Sequence, residues 1–360
     1  MANLFGCDWT REALLDRVED MAQLAGTRRG KLTEGNEAGT EWVEMWNSSG
    51  LSLTVLPGRG LDIAQAQYNG IPLCFRGSTG DLNPAHYEPD GFGWERGFFA
   101  GLLTTCGFTF VGHPETDAEE EDIELGLHGR ATFIPARRVG TDEGWQGDEY
   151  TVSVSGRVRE TVTGGTNLEL TRSITLGLGE KALVIRDRIE NLSRRLTSPL
   201  MIVYHCNAGF PIVNEGARVL LSSAKSIDTA DGAEVDGRAF GAIGAPAPDN
   251  GEAVYVHTLN ATAEGTATVA IVNDQLRDGF GLYWKYNSAE LPVLSQWTHF
   301  VSGSYVIGIE PGNCSVMGRQ ANREAGTLEH IAPGEVREFT MEIGVLDGAE
   351  EIAAFEASLP

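Results

Sequence analysis

"LELTRSITL", residues 168–176, alternates apolar and polar side chains over nine positions. A period of two marks a β-strand with one packed face and one wet face, and here Thr, Glu and Arg read as the wet face. Similar short runs recur along the chain. Upstream are "TEWVEMW" (40–46), "LSLTVLP" (51–57), "LDIAQAQY" (61–68) and "IPLCF" (71–75), with an Asn69-Gly70 hairpin turn between the last two. Around and after the opening stretch come "YTVSVSGRV" (150–158), "ALVIRDRIEN" (182–191), "PLMIVYH" (199–205), "ARVLLSS" (217–223), "TATVAIVN" (266–273), "GFGLYWKY" (279–286), "PVLSQWTHF" (292–300), "SYVIGIEP" (304–311) and "VREFTMEIGVL" (336–346). Many short strands, 45 glycines and little helical periodicity predict an all-β, mainly antiparallel architecture in a single domain, 1–360.

Helical spacing occurs only at the ends. Leu14, Leu15, Val18, Met21 and Ala22 predict one amphipathic helix over 9–24, capped at Asp8, within an N-terminal helical extension 1–30. "DGAEEIAAFEASL" predicts a helical tail within 347–360. Two irregular stretches are long enough to matter. Residues 76–101 hold Tyr87, Phe92, Trp94, Phe98 and Phe99, and read as a loop packed over a site. Residues 226–252 are poor in aromatics and read as a solvated excursion.

Composition narrows the class. The 360 residues are 41% hydrophobic, enough for a large core. A net charge of −24 argues against nucleic acid and anionic membranes as partners. No apolar run reaches the roughly 18 residues of a membrane span, and the acidic N-terminus is unlike a signal peptide. Cys7, Cys74, Cys106, Cys206 and Cys314 are scattered and odd in number, as free thiols in a reducing compartment would be. The expectation is a cytoplasmic protein, monomer or homodimer, taking a small molecule.

Among the seven histidines, His128 in "GLHGR" and His205 in "IVYHCNAGFP" have unusual contexts. The second is a strand running into a polar Asn207 and a Gly-Phe-Pro turn. Glu310 ends the apolar strand "SYVIGIEPGN", where desolvation would raise its pKa toward the range of a general base. Arg59, between two glycines, could approach a ligand closely. Lys285, Gln296 and Trp297 mix polar groups with rings, as carbohydrate clefts do. Arg59, Arg76, Arg96, Arg130, Lys285 and Arg319 could form a cationic cleft for an acidic sugar. No nucleotide-binding, P-loop or zinc-protease motif is present, and His113-Pro-Glu115 is no convincing metal pair.

The ordered set resembles the galactose-mutarotase-like superfamily, of aldose 1-epimerase type, over about residues 40–346. Four stretches carry it: "LSLTVLPGRGLDIAQAQYNGIPLCF", "LGLHGR", "VYHCNAGFP" and "YVIGIEPGN". The resemblance implies a β-supersandwich with a cleft on one face, and a reaction needing no metal and no cofactor. It implies Glu310 as the base that takes the anomeric proton and His205 as the acid at the ring oxygen. It implies His128 as a hydrogen-bond donor to the sugar, with Arg59 beside it; the residues themselves offer Lys285, Gln296, Trp297, Asn207 and Arg130 as further candidate sugar contacts. The sequence departs from the pattern twice. It has no clear match for the aspartate that holds sugar hydroxyls, and "CNAGFP" follows the second histidine. Two other readings stay open: a non-catalytic carbohydrate-binding protein, and another proton transfer at C1 of an acidic or oxidised sugar.

Overall fold

The computed structural model describes residues 1–119 and 123–360. The middle of the acidic run 117–124 therefore lies outside the described residues. The opening stretch forms the strand Asn167–Gly177, paired antiparallel with Glu149–Thr161 and Ala182–Asn191. These belong to an eight-stranded sheet in the order Arg137–Gln146, Glu149–Thr161, Asn167–Gly177, Ala182–Asn191, Val336–Asp347, Phe280–Asn287, Thr266–Asn273, Arg218–Leu221. A seven-stranded sheet runs Ser223–Asp228, Glu252–Leu259, Val293–Val301, Ser304–Gly312, Ser198–Ala208, Glu329–Ile331, with Thr104–Phe108 also paired to Ser198–Ala208. A five-stranded sheet holds Gly26–Lys31, Glu41–Trp46, Leu51–Leu56, Asp62–Tyr68 and Ile71–Pro72. All of these strand pairs are antiparallel. One hydrophobic cluster joins the three sheets, with Leu170, Ile174 and Ile185 from the first, Ile202 and Ile309 from the second, and Leu53 and Ile63 from the third.

Arg172 does not stand on the wet face. It shares the parity of Leu170 and Ile174 and is fully buried. Its guanidinium meets Asp187 at 2.7 and 2.9 Å, Asp62 at 3.0 Å and Thr105 Oγ1 at 2.8 Å. Tyr204 donates to the same Asp187 at 2.8 Å. Period-two reading assigns polar residues outward, and it cannot see a buried ion pair whose partners come from distant strands.

The N-terminus also departs from expectation. Ala2–Leu4 and Cys7–Trp9 form a hairpin, and the helix covers only Arg11–Leu15, capped by Thr10 Oγ1 rather than Asp8. Asp8 instead accepts from Asn3 across the hairpin. Asp20 turns its carboxylate onto the Ala22 amide and starts a separate 3₁₀ turn, Met21–Gln23. Short acidic side chains compete in this way for backbone amides and break a helix that the apolar spacing alone would continue. Leu14, Val18 and Leu24 are buried all the same, on two turns instead of one helix. The tail does form a helix, Ala349–Ala357, with Ile352 and Phe355 buried and Phe355 against Tyr283. Among the described residues no helix is long and apolar enough to cross a membrane.

Residues 226–252 are less free than a solvated excursion. The strand Ser223–Asp228 opens them, and a turn at Gly237–Phe240 lays the buried Phe240 ring 4.6 Å from His257.

Candidate active site

Strand parity decides which groups meet. The strands Ser198–Ala208 and Ser304–Gly312 pair Asn207 with Gly308 and Cys206 with Ile309, which sets His205 opposite Glu310. On the other side of Glu310 its partner is Ser295, and Gly308 faces Trp297. Directly paired residues share a face. His205, Asn207, Ser295, Trp297 and Glu310 therefore stand together on one face of the seven-stranded sheet. Cys206, Gln296 and Ile309 stand on the other.

His205 Nε2 lies 3.2 Å from Glu310 Oε1. Both side chains are nearly closed to water, at 5% and 2% exposure. Burial holds the Glu310 carboxyl at about 8 and pulls the His205 imidazole down to about 4, against a smaller upward pull from the Asn207 amide. Gly308 makes room for the pair: a Cβ there would stand 2.4 Å from Glu310 Oε1 and 3.2 Å from His205 Cε1. Among the described residues, three buried polar atoms on this face have no hydrogen-bond partner, His205 Nδ1, Asn207 Oδ1 and Ser295 Oγ, and Glu310 Oε1 has only the approach of His205 Nε2. A buried polar atom left unpaired costs about 1–3 kcal/mol.

His128 arrives from a loop and completes the cluster, its ring 6.0 Å from that of His205. Its backbone is left-handed, φ 53°, and is pinned by His128 N to Gly112 O and Gly107 N to His128 O. Gly129 continues the left-handed turn, and a Cβ there would meet the Phe110 carbonyl at 2.5 Å. The second glycine of "GLHGR" is thus required by geometry. Burial, with His205 and His113 nearby, drops the His128 imidazole to about 3, and its Nδ1 is also unpartnered. The ring is neutral at physiological pH.

Residues 76–101 lie over this cluster, as their aromatic content suggests. Trp94 meets His128 edge-on at 5.0 Å, and Phe98 sits 5.2 Å from His205. Trp297 flanks His205 at 5.7 Å.

Four expected contacts fall elsewhere. Arg59 is fully buried and donates to the carbonyls of Thr132, Leu82 and Gly97, between the rings of Phe99 and Phe133. It anchors the covering loop and offers no face to a ligand. Gln296 is one residue out of phase with Glu310; its amide donates to Phe240 O on the opposite face, near His257. Lys285 belongs to the eight-stranded sheet, where it lies by Glu342 and over Tyr283. Arg130 is exposed at the turn Ala131–Phe133 and makes no contact with the pair among the contacts described. The cationic cleft does not assemble either: Arg76 pairs with Asp81, Arg96 with Glu88 and Arg319 with Asp117. Sequence reasoning missed Ser295. Ser295 could have been found by counting two residues back from Trp297. Among the described residues no three His, Cys, Asp or Glu side chains are grouped so as to hold a metal ion.

Comparison with known proteins now has a geometry to meet. The family described as a domain of unknown function, DUF4432, matches residues 37–345. The chain belongs to that family. The fold of this DUF4432 protein is that of the galactose mutarotase-like proteins. It is similar to a Klebsiella pneumoniae protein provisionally described as an aldose 1-epimerase, with TM-score 0.85 at 24% identity, covering 92% of this chain and 86% of that one. It is also similar to a galactose mutarotase-like protein of Clostridium acetobutylicum (TM-score 0.62, 13% identity, 90% and 99% covered). A galactose 1-epimerase of Lactobacillus acidophilus gives TM-score 0.56 at 13% identity, with 89% and 99% covered. A phosphoglucosamine mutase of Deinococcus deserti is 30% identical over 132 residues, 35% of this DUF4432 chain and 28% of its own length. The chain thus spans little more than a quarter of that curated relative.

Proposed function

We propose that this protein is an aldose 1-epimerase that interconverts the anomers of an uncharged sugar. The observation that carries the reading is the buried His205–Glu310 pair, 3.2 Å apart on adjacent strands, among polar atoms without partners. Mutarotation needs a base and an acid at one hemiacetal. Glu310 as carboxylate takes the proton of the anomeric hydroxyl, and the O1 electrons form the C1 carbonyl. The bond from C1 to the ring oxygen breaks, and that oxygen takes a proton from the His205 imidazolium. Rotation about C1–C2 and the reverse transfers close the ring on the other face. Atoms and charge balance, with nothing oxidised.

Burial favours a pair carrying one proton in total near neutrality, since Glu310 is raised and His205 lowered. One shared proton suits a reaction that must run both ways. His128, neutral, is placed to bond a sugar oxygen, and the rings of Phe98 and Trp297 flank the pair. The uncharged substrate is supported by where the arginines are: Arg76, Arg96 and Arg319 are paired with carboxylates, Arg59 is buried under the loop, and Arg130 is exposed with no contact to the pair among the contacts described. The likeness to a galactose 1-epimerase supports the same chemistry.

The test is anomer exchange measured by NMR over neutral aldoses, uronic acids and sugar phosphates. Exchange above the uncatalysed rate is expected for neutral aldoses. Glu310→Gln should lose at least about 100-fold of it. Sugar binding without exchange would make the protein a carbohydrate-binding module. Full activity in Glu310→Gln would remove the mechanism.

A further inference from the structure

We propose that the concavity between the turn 161–167 and the loop 192–196 is a binding site for a phosphate-bearing small molecule. None of His128, His205 and Glu310 lines it, so it is separate from the candidate active site and independent of the epimerase reading.

The strand order builds the site. The turn "VTGGT" (162–166) joins Glu149–Thr161 to Asn167–Gly177, and Ala182–Asn191 lies beside them, so the loop that leaves it reaches the same end of the sheet. Leu192 N donates to Asn167 O at 2.8 Å and ties the two segments together. Ser193 Oγ accepts from the amides of Arg195 and Leu196 and curls the loop. The volume enclosed is about 530 Å³, inside the range of roughly 300–1,000 Å³ that holds small ligands.

Arg159, Arg194 and Arg195 line it, with threonine hydroxyls and the glycine turn, and among the described residues no Asp or Glu does. In a chain with 51 acidic and 27 basic residues, that is a local reversal of sign. Among the described residues none of the three arginines is in an ion pair. Glu169, opposite Arg159, bonds Arg157 at 3.1 Å, and Glu190, next across, bonds Arg188 at 2.6 Å. Two of the guanidiniums are held by neutral acceptors instead: Arg159 Nε donates to Asn167 Oδ1 at 2.9 Å, and Arg195 Nη2 to Gly164 O at 3.4 Å. These bonds orient the forks and leave their charge uncompensated. Like charges around one concavity repel, and a bound anion removes that repulsion.

The geometry selects the anion. A guanidinium fork matches the oxygens of a phosphate two at a time. A phosphate ester has three terminal oxygens pointing in different directions and close to two charges, so it can meet forks from both segments. A carboxylate has two oxygens in one plane and one charge. A long acidic chain would leave the concavity and meet the negative field of the rest of the surface, whereas a compact anion stays within about 10 Å of the arginines, where salt screens the remainder.

The test is isothermal titration of the full chain with inorganic pyrophosphate, ribose 5-phosphate and AMP, at low and at physiological salt. Pyrophosphate should bind one-to-one, tighter than about 1 mM, and more weakly as salt rises. Arg194→Ala combined with Arg195→Ala should weaken it at least about tenfold, and so should Arg159→Gln. Arg186→Ala removes the same charge from an exposed position of the same sheet outside the concavity and should change affinity by less than about twofold. Arg194 and Arg195 are exposed, so their double variant should melt as the wild type does, and it decides the matter if Arg159→Gln fails to fold. AMP binding more tightly than ribose 5-phosphate would assign a nucleotide, and equal binding of the two a sugar phosphate; either supports the site. Absence of saturable pyrophosphate binding, an unchanged affinity in the double variant, or an equal loss in Arg186→Ala would overturn it. Tighter binding of hexaglutamate than of any phosphate would overturn it in favour of an acidic protein partner. Binding is read without turnover, so the outcome stands even if no aldose is converted.

Discussion

Glu310→Gln should make the protein more stable above neutrality while it removes turnover, and the size of the gain can be worked out. The carboxyl ordinarily titrates near 4.5, and burial holds it at about 8. A folded-state value raised in this way gives stability that is complete below 4.5 and is lost as pH rises through about 8. Between those limits the unfolded chain ionises and the folded one does not. Each pH unit is worth about 1.4 kcal/mol, so the wild type loses about 5 kcal/mol over the whole interval and about 3 kcal/mol by pH 7. Glutamine has nearly the same shape and never ionises, so the variant escapes the loss.

His205 must be kept out of the comparison. Its folded value is lowered to about 4, so its contribution is present above about 6.5 and is lost as pH falls toward 4. His205 is present in both proteins, so its own titration largely cancels from their difference; from pH 6.5 to 8 the folded imidazole is neutral, and Glu310 separates the two proteins. Urea unfolding of wild type and Glu310→Gln at half-unit steps across that range should give a stability difference growing by about 1.4 kcal/mol per pH unit, then levelling above about 8. For a chain of this size about 1 kcal/mol moves the melting temperature by 1–2 °C, so the variant should melt about 4 °C higher at pH 7. A difference independent of pH would mean that Glu310 is ionised throughout, and the shared-proton description of the pair would fall.

Two further outcomes follow from the same geometry. Gly308→Ala places a Cβ 2.4 Å from Glu310 Oε1 and should cut anomer exchange at least about tenfold, read beside a melt that shows the fold intact. Arg59→Met leaves three buried carbonyls without a donor; it should cost about 3 kcal/mol or more and speed proteolysis within residues 76–101, with cleavage unchanged elsewhere.

The sheets were legible because their strands alternate, and alternation is a local signal. The strand after Gly251, "EAVYVHTL", and the polar "RRVGTDEGWQ" escaped because their partners, rather than their own pattern, hold them in register. His128, His205 and Glu310 were found through glycine context, a strand end and an isolated carboxylate, and the fold brings all three together. Gln296 and Trp297 show the limit of the method. They are neighbours in sequence, yet one residue of phase sends them to opposite faces, and phase is set by the register with Glu310. Arg59 was misread for a related reason. Flanking glycines permit a close approach, and what approaches is the chain's own carbonyls rather than a ligand.

The Arg172 knot separates access from chemistry. One guanidinium binds Asp62 of the five-stranded sheet, Asp187 of the eight-stranded sheet and Thr105 of the seven-stranded sheet, and removing one member of such a cluster typically costs about 3–5 kcal/mol. The three sheets cannot hinge apart without breaking it. The distance between His205 and Glu310 is therefore held by the scaffold, whereas the aromatic cover belongs to a segment outside the strands. Substitutions at Trp94 or Phe98 can reshape what enters without disturbing how far the proton travels. On the proposed function, editing that one loop would change which sugar is admitted while the spacing of His205 and Glu310 stays the same.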